Sequence, residues 1–304
     1  MDANLAIRLE NIHKQYGTKV AVDDLELSVP RATICGLLGP NGAGKTTTIR
    51  VMLDIIGADS GSVELLGQPP TPEARDRIGY LPEERGLYPK MKVLELLEFL
   101  GELKGTPRRV GRQRARRWLE RLELDDWADK KVQDLSRGMQ QKVQFIGTVL
   151  HEPELLILDE PFSGLDPLNV DLLKEIVLEE KSRGATVLLS THNMDQAERL
   201  CERVVMIKEA RKVLDGRLAE IKREAWLAGQ RRVLLGMEGG AGLLDDHSLI
   251  ASVEDRGVCF AVALQEGVEP QQLLEAALAA GAIVHHFQVS EPSLHEIFVG
   301  RARE

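Results

Sequence analysis

The chain has 304 residues, of which 43% are hydrophobic, which is enough for one large domain and a small one with buried cores. Its formal net charge of −9 argues weakly against a protein whose main task is to coat nucleic acid. The cysteines form no C-x-x-C pair and are odd in number, which argues against a disulfide framework or a cysteine zinc site and indicates a reducing cytosol; they are Cys35, Cys201 and Cys259.

The N-terminal residues lack a basic segment followed by an apolar core. No apolar stretch approaches the roughly 18 residues that can span a bilayer. We therefore expect any role at a membrane to depend on a partner chain.

The first predicted elements are strands. Residues 6–10 and 20–29 alternate between apolar and polar side chains, which predicts a small antiparallel layer, and residues 32–38 form an apolar run that enters a glycine-rich loop. Apolar residues at helical spacing predict helices over residues 46–53, 93–103, 111–122, 139–150 and 169–183. The compact apolar runs 155–158 and 185–190 alternate with these helices. The pattern predicts an α/β fold with a mainly parallel sheet covered on both faces.

A second unit is predicted after a helix near residues 217–227, where Gly229, Gln230, Arg231 and Arg232 interrupt the pattern. The predicted domains are residues 1–228 and 229–304. Within the second, the elements are strands over 233–237 and 258–263, a helix over 270–280 and a strand over 283–289. This order predicts a small α+β domain of ferredoxin-like type.

The glycine-rich loop matches the G-x-x-x-x-G-K-[ST] pattern between a strand and a helix, through Gly39, Pro40, Asn41, Gly42, Ala43, Gly44, Lys45 and Thr46. The glycines let backbone N–H groups turn toward phosphate oxygens, Lys45 reaches the β- and γ-phosphates, and Thr46 supplies a ligand to Mg²⁺. An ordinary glycine-rich turn has no need of a lysine and a hydroxyl after its last glycine. The loop therefore predicts binding of ATP with Mg²⁺, and the expected nucleotide-binding residues include Thr47.

Two carboxylates follow the apolar strand over residues 155–158. Carboxylates at a buried strand end are costly without a nearby cation or polar ligand. We expect Asp159 to hold Mg²⁺, directly or through water, and Glu160 to act as the general base on the attacking water. Taken alone, a solvated pair at a strand end is an equally good interpretation.

The segment Leu135-Ser136-Arg137-Gly138-Met139-Gln140-Gln141 places a serine and a glycine at the start of a long helix, the geometry of an anion-binding helix terminus. Together with the preceding motifs, this signature segment resembles that of the ATP-binding cassette family. The resemblance covers about residues 5–225, with the motifs in the family's order. It implies a phosphate-loop ATPase fold with an antiparallel layer and a helical subdomain.

Further site residues are implied by the resemblance. Tyr16 matches the aromatic residue that stacks on adenine, Asp166 lies in the loop that links the two active sites of a dimer, and His192 matches the switch histidine at the γ-phosphate. Each has a simpler explanation: Tyr16 in packing, Asp166 as a helix cap and His192 as a structural loop residue.

This chain departs from the family pattern at two places. Glu83 stands where the family usually has a glutamine, and we include it in the expected metal set with Thr46 and Asp159. Arg137 and Met139 stand where the family usually has a glycine and a glutamine. Ser136 and Gly138, expected to donate to the γ-phosphate of a second cassette, are in place.

In this family the signature completes the phosphate loop of a different cassette, so a chain with one cassette implies a partner cassette, in a homodimer or a heterodimer. The resemblance also implies a separately encoded transmembrane permease, and hence a place on the cytoplasmic face of the membrane. Residues 291–299 and 81–88 resemble bacterial efflux systems of sodium-extrusion and drug-resistance type, which favours an exporter.

Two alternatives remain at this stage. One is a soluble cassette ATPase acting on DNA or ribosomes, although the chain has neither a long coiled-coil insertion nor a second cassette. The other is an importer ATPase. The arginine-rich stretch over residues 108–117 is better explained as a solvated helix face than as a lipid or nucleic-acid patch, and nucleic acid is not an expected partner.

Overall fold

The computed structural model describes residues 4–84, 86–228 and 232–301. The chain divides into two compact units, Met1–Gly216 (unit 1) and Arg217–Glu304 (unit 2). This division falls just before the helix Leu218–Leu227 and assigns that helix to unit 2. The boundary predicted from the sequence, after residue 228, falls just after the same helix. Gly229, Gln230 and Arg231, which suggested that boundary, lie outside the described residues.

Unit 1 contains two sheets and a set of covering helices. Its strands are, in chain order, β1 (Leu5–Tyr16), β2 (Lys19–Pro30), β3 (Ile34–Leu38), β4 (Ser60–Leu65), β5 (Ile78–Leu81), β6 (Leu155–Asp159), β7 (Thr186–Thr191), β8 (Arg203–Lys208) and β9 (Arg211–Arg217). Its helices are α1 (Lys45–Met52), α2 (Pro72–Asp76), α3 (Val93–Leu103), α4 (Arg108–Arg121), α5 (Arg137–Val149), α6 (Pro167–Ser182) and α7 (Met194–Leu200).

The predicted parallel sheet is confirmed. Its order in the described chain is β5-β6-β7-β3-β8-β9, with parallel pairing from β5 to β8. Every residue of β3, β6 and β7 is buried, as expected for strands with both faces covered. Leu38 pairs with Thr191, and Asp159 pairs with Ser190. The carboxyl ends of β3, β6 and β7 therefore meet at one edge of the sheet.

The predicted antiparallel layer is also present, as the sheet β2-β1-β4. The sequence suggested only residues 6–10 for the first strand, whereas β1 continues to Tyr16. Register irregularities beyond Leu9 interrupt the alternation of side chains, which explains the short prediction.

Helix α1 is buried between the two sheets. Ile49 and Met52 are fully buried in one apolar cluster with Leu9 of β1, Leu37 of β3 and Leu188 of β7. This packing fixes the first turn of α1, and with it the glycine-rich loop that precedes the helix.

The arginine-rich stretch forms α4, which begins at Arg108 rather than at residue 111. Arg108 and Arg112 form ion pairs with Glu98 of α3, at 3.3 and 3.0 Å, and the Glu98 side chain is almost fully buried. Part of this basic helix therefore serves to join α4 to α3. In the part of the chain that the structure describes, we find no helix with the length and hydropathy needed to cross a bilayer.

Unit 2 contains the helix α8 (Leu218–Leu227), then β10 (Arg232–Glu238), β11 (Ile250–Asp255), β12 (Phe260–Leu264), α9 (Pro270–Ala279), β13 (Ile283–Ser290) and α10 (Leu294–Arg301). Its antiparallel sheet has the order β11-β12-β10-β13, and α9 packs on it through Leu273 and Ala277. This is the ferredoxin-like strand order, with the 3₁₀ turn Ala241–Asp245 in place of the first helix. The sequence missed β11 because nearly all its residues are exposed.

Candidate functional site

The glycine-rich loop joins β3 to α1, and two of its glycines are required by the backbone. Gly39 and Gly44 have φ angles of 151° and 112°, and a Cβ on them would lie 2.1 Å from Ile207 O and 2.3 Å from Ala21 O. No other residue fits at either position without moving the chain. The loop N–H groups and the start of α1 thus form a concave, electropositive surface.

Lys45, the first residue of α1, folds back over this loop. Its Nζ donates hydrogen bonds to Gly39 O at 2.7 Å and to Pro40 O at 3.2 Å. Burial lowers the pKa of Lys45, and the charges of Glu160, Asp159 and Glu83 act in the opposite direction. The three carboxylates therefore offset only part of the effect of burial, which disfavours the charged ammonium group.

Asp159 ends β6 and is fully buried. Its Oδ2 accepts a hydrogen bond from Thr46 Oγ1 at 2.9 Å, while its Oδ1 is buried and has no hydrogen-bond partner among the described residues. Burial raises the pKa of Asp159, and the hydroxyls of Ser190 and then of Thr46 partly offset that effect. A buried carboxylate oxygen without a hydrogen-bond partner destabilises the fold if nothing binds to it. Together with the neighbouring hydroxyl group, it provides the hard oxygen ligands that Mg²⁺ prefers.

Glu160 follows directly and has a φ angle of 49°. This is the left-handed region, which is energetically unfavourable for any residue that carries a side chain. Its Oε2 accepts a hydrogen bond from Thr191 Oγ1 at 3.1 Å. Its Oε1 accepts from the backbone N–H of His192 at 3.0 Å and lies 2.7 Å from His192 Nδ1. The carboxylate is thus held by the loop that follows β7.

A cavity of about 330 Å³, here called the nucleotide cavity, brings together part of the glycine-rich loop with Asp159 and Glu160, but His192 is not among its lining residues. It is lined by Tyr16, Lys19, Ala21, Asn41, Gly42, Gly44, Lys45, Thr46, Thr47, Glu83, Asp159 and Glu160. The lining includes the half-exposed ring of Tyr16, and the Lys14 ammonium lies 5.6 Å from the centre of that ring. The sequence analysis missed Lys19 and Ala21, since neither belongs to a motif.

The signature residues lie elsewhere. Ser136 caps α5, its Oγ accepting from Met139 N at 3.3 Å, and Arg137 and Gly138 form the first turn of that helix. None of the three lines the nucleotide cavity. One chain therefore does not bring the signature to its own phosphate loop.

Asp166 is also outside the nucleotide cavity and caps α6, accepting a hydrogen bond from Asn169 N at 3.1 Å. Hydrogen bonds from Asn169 lower the pKa of Asp166. In a single chain its contacts are those of a helix cap.

The family described as "ABC transporter" matches residues 22–163, and that described as "ATP-binding protein DrrA1-3-like, C-terminal domain" matches residues 216–302. The uncharacterized ABC transporter ATP-binding protein YhaQ of Bacillus subtilis is 43% identical over 96% of this chain and 97% of its own length. The chain belongs to the ABC transporter ATP-binding family. The resemblance inferred from the motifs is confirmed.

Other relatives agree with this assignment. The Nod factor export ATP-binding protein I of Cupriavidus metallidurans is 39% identical over 71% of this chain and 72% of its own length. A solved ATP-binding subunit of an ABC transporter has a TM-score of 0.69 and 32% identity, covering 74% of this chain and 95% of its own. The ABC subunit described here is an ATPase whose hydrolysis of ATP is coupled to transport.

Proposed function

We propose that the nucleotide cavity binds ATP together with Mg²⁺, and the observation that carries this is the orphaned Oδ1 of Asp159 beside the Thr46 hydroxyl. Thr46, Asp159 and Glu83 are the residues that would hold the metal. Bound Mg²⁺ would neutralise charge that develops on the phosphate oxygens. The loop N–H groups and Lys45 bind the β- and γ-phosphates, and the Tyr16 ring stacks on adenine.

In this proposal Glu160 is the general base. Its carboxylate stays accessible at the cavity while three donors from Thr191 and His192 fix its direction. A fixed carboxylate accepts the proton of a water aimed at the γ-phosphate. His192 then has two roles, to hold Glu160 and to contact the γ-phosphate.

The same proposal requires two cassettes. Ser136 and Gly138 lie on α5 outside the cavity of their own chain, which supports their action on the nucleotide of a partner cassette. Asp166 would connect the two sites. Closure of the pair on ATP completes both sites, and hydrolysis allows the pair to separate, a cycle suited to driving a membrane partner between two states.

We further propose that the partner is a separately encoded transmembrane permease of an exporter, with this chain on the cytoplasmic face of the membrane. The names of several relatives support export, since they are Nod factor export ATP-binding proteins.

To test this proposal, tagged Glu160→Gln protein is purified with ATP and Mg²⁺ from mild-detergent extracts of its source cells. The control is the Lys45→Ala protein, which should not form the ATP-bound complex. Recovery of one multi-spanning membrane protein in two-to-two ratio with the chain supports the proposal. Recovery of ribosomes or DNA instead would overturn it. Stimulation of the purified complex by a separate substrate-binding protein would overturn export in favour of import.

A further inference from the structure

The loop after β5 carries Glu83 and is fastened to α5 by one buried side chain. Gln144, in the middle of α5, donates from Nε2 to Pro82 O at 3.2 Å and to Glu84 O at 3.3 Å. These two carbonyls belong to the residues on either side of Glu83. A primary amide has two hydrogens, so one side chain can satisfy both carbonyls together. The backbone that presents Glu83 is thereby held on both sides.

A second side chain attaches α5 to the same region. Thr148, one turn after Gln144, has its Oγ1 3.4 Å from Tyr80 O in β5, besides its closer bond to Gln144 O. Helix α5 begins directly after Ser136. The helix that starts at the signature is therefore bonded through its second half to strand β5 and to the loop that carries Glu83.

The Gln144 side chain carries an energetic cost in the folded state. It is buried, and its Oε1 has no hydrogen-bond partner in the described part of the chain. An apolar side chain of similar size would avoid the penalty of an unpaired buried oxygen. The presence of an amide at this position is thus explained by its NH₂ group, which donates to the loop that carries Glu83.

We infer that Gln144 is a positioning residue that fixes the Glu83 carboxylate relative to Asp159 and Thr46, and that links this placement to the helix of the signature. The inference rests on the proposed role of Glu83 at the metal. Because α5 is a rigid element, a displacement of its signature end when a partner cassette docks reaches the Glu83 loop through Gln144. The loop then moves with the helix rather than independently.

The test uses the full-length protein and measures two quantities against Mg²⁺ concentration, the equilibrium binding of ATP and the steady-state ATPase activity. Gln144→Met keeps the length of the side chain and removes the donor, and Gln144→Glu keeps its shape and places a carboxylate against two carbonyl oxygens. We expect either change to raise the Mg²⁺ concentration for half-maximal activity by about tenfold, the effect of losing two ordinary hydrogen bonds. Thr148→Val removes the contact with β5 but leaves both bonds to the Glu83 loop, and it should raise that concentration less than Gln144→Met does.

A double-mutant cycle with Glu83→Gln separates positioning from general destabilisation. If Gln144 acts through Glu83, Gln144→Met has no further effect on the Mg²⁺ requirement once Glu83 is replaced. Equal effects of Gln144→Met in both backgrounds would overturn the inference. A normal Mg²⁺ curve for Gln144→Met beside a shifted curve for Glu83→Gln would overturn it too, whereas an unshifted curve for Glu83→Gln would overturn the proposed metal role of Glu83.

Discussion

Glu160 and His192 are joined by two contacts to a single carboxylate oxygen, from the backbone N–H of His192 at 3.0 Å and from its ring Nδ1 at 2.7 Å. An ionised carboxylate only accepts hydrogen bonds, so the Nδ1–H of His192 donates to Glu160 in this pair. The orientation of the ring is therefore fixed while it holds Glu160.

Glu160→Gln should retain ATP binding and lose turnover by about 10²- to 10⁴-fold, because the amide has nearly the same size but is no base. The closed pair of cassettes should accumulate with ATP. Hydrolysis rates and the mass of the ATP-bound species check both statements. Glu152→Gln, at an exposed carboxylate paired with Arg114, serves as the control and should hydrolyse ATP normally. Near-normal turnover of Glu160→Gln would exclude Glu160 as the base.

Glu83→Gln should keep hydrolysis and raise the Mg²⁺ concentration needed for half-maximal activity, because a neutral amide binds Mg²⁺ less strongly than a carboxylate. It should also weaken the penalty for binding ATP without metal, since a charge that repels the γ-phosphate is removed. A Mg²⁺ titration of ATPase activity and a metal-free binding measurement test the two effects.

The matched control is Glu84→Gln, the next carboxylate along the chain, which is exposed and 3.9 Å from Arg50. It does not line the nucleotide cavity. Both Glu84→Gln curves should match those of the unchanged protein. If Glu83→Gln also matches them, Glu83 acts in coupling to the permease and not at the metal.

The parallel sheet and the phosphate loop could be predicted from sequence because their signals are local. Continuous apolar runs mark β6 and β7, and the loop motif gives Lys45 and Thr46 their places directly. The contact of Glu160 with Thr191 was not predictable, because it joins the ends of two strands separated by a whole helix. The same applies to Gln144, whose partners at Pro82 and Glu84 are distant in sequence.

Element ends were predicted less well where burial is partial. Helix α4 begins with exposed arginines that carry no apolar period, and β11 exposes all but one of its residues. Periodicity reports burial rather than backbone conformation, so exposed ends and strands give no signal. The place of Tyr16 in the nucleotide cavity also had no local signal in the sequence. Only the family resemblance predicted it.

Truncation after Gly216 should leave a folded chain that binds ATP, because all residues that line the nucleotide cavity precede that point and unit 2 has its own apolar cluster. A chain ending at residue 228 retains α8 without α10, against which it packs, and without Glu291, which is 3.4 Å from Lys222. We expect the chain ending at residue 228 to bind ATP as well but to aggregate more, through the face of α8 that α10 covers in the full-length chain. ATP binding and light scattering of both chains test this; loss of ATP binding in both would show that the units share a core.

The last prediction concerns His151, just after α5, whose Nε2 lies 3.3 Å from Ile78 O. Burial, and then the charge of Lys104, lower the pKa of His151 to about 4 from an ordinary 6.5; Arg183 acts in the same direction and Asp76 against it. The folded protein therefore binds fewer protons than the unfolded chain between these pH values. Stability is unaffected above about pH 6.5 and falls as the pH decreases toward 4, because the unfolded chain gains a proton that the folded state does not accept.

His151→Gln removes this titration while an amide can still donate to Ile78 O. Between pH 7 and pH 5, His151 lowers the free energy of unfolding of the unchanged protein by about 2 kcal/mol. The variant should not show this decrease. Thermal unfolding of both full-length chains at pH 7, 6 and 5 measures the difference. Parallel curves for His151→Gln and the unchanged protein would mean that His151 takes up its proton in the fold as readily as in the unfolded chain, and that burial at the end of α5 does not hold it neutral.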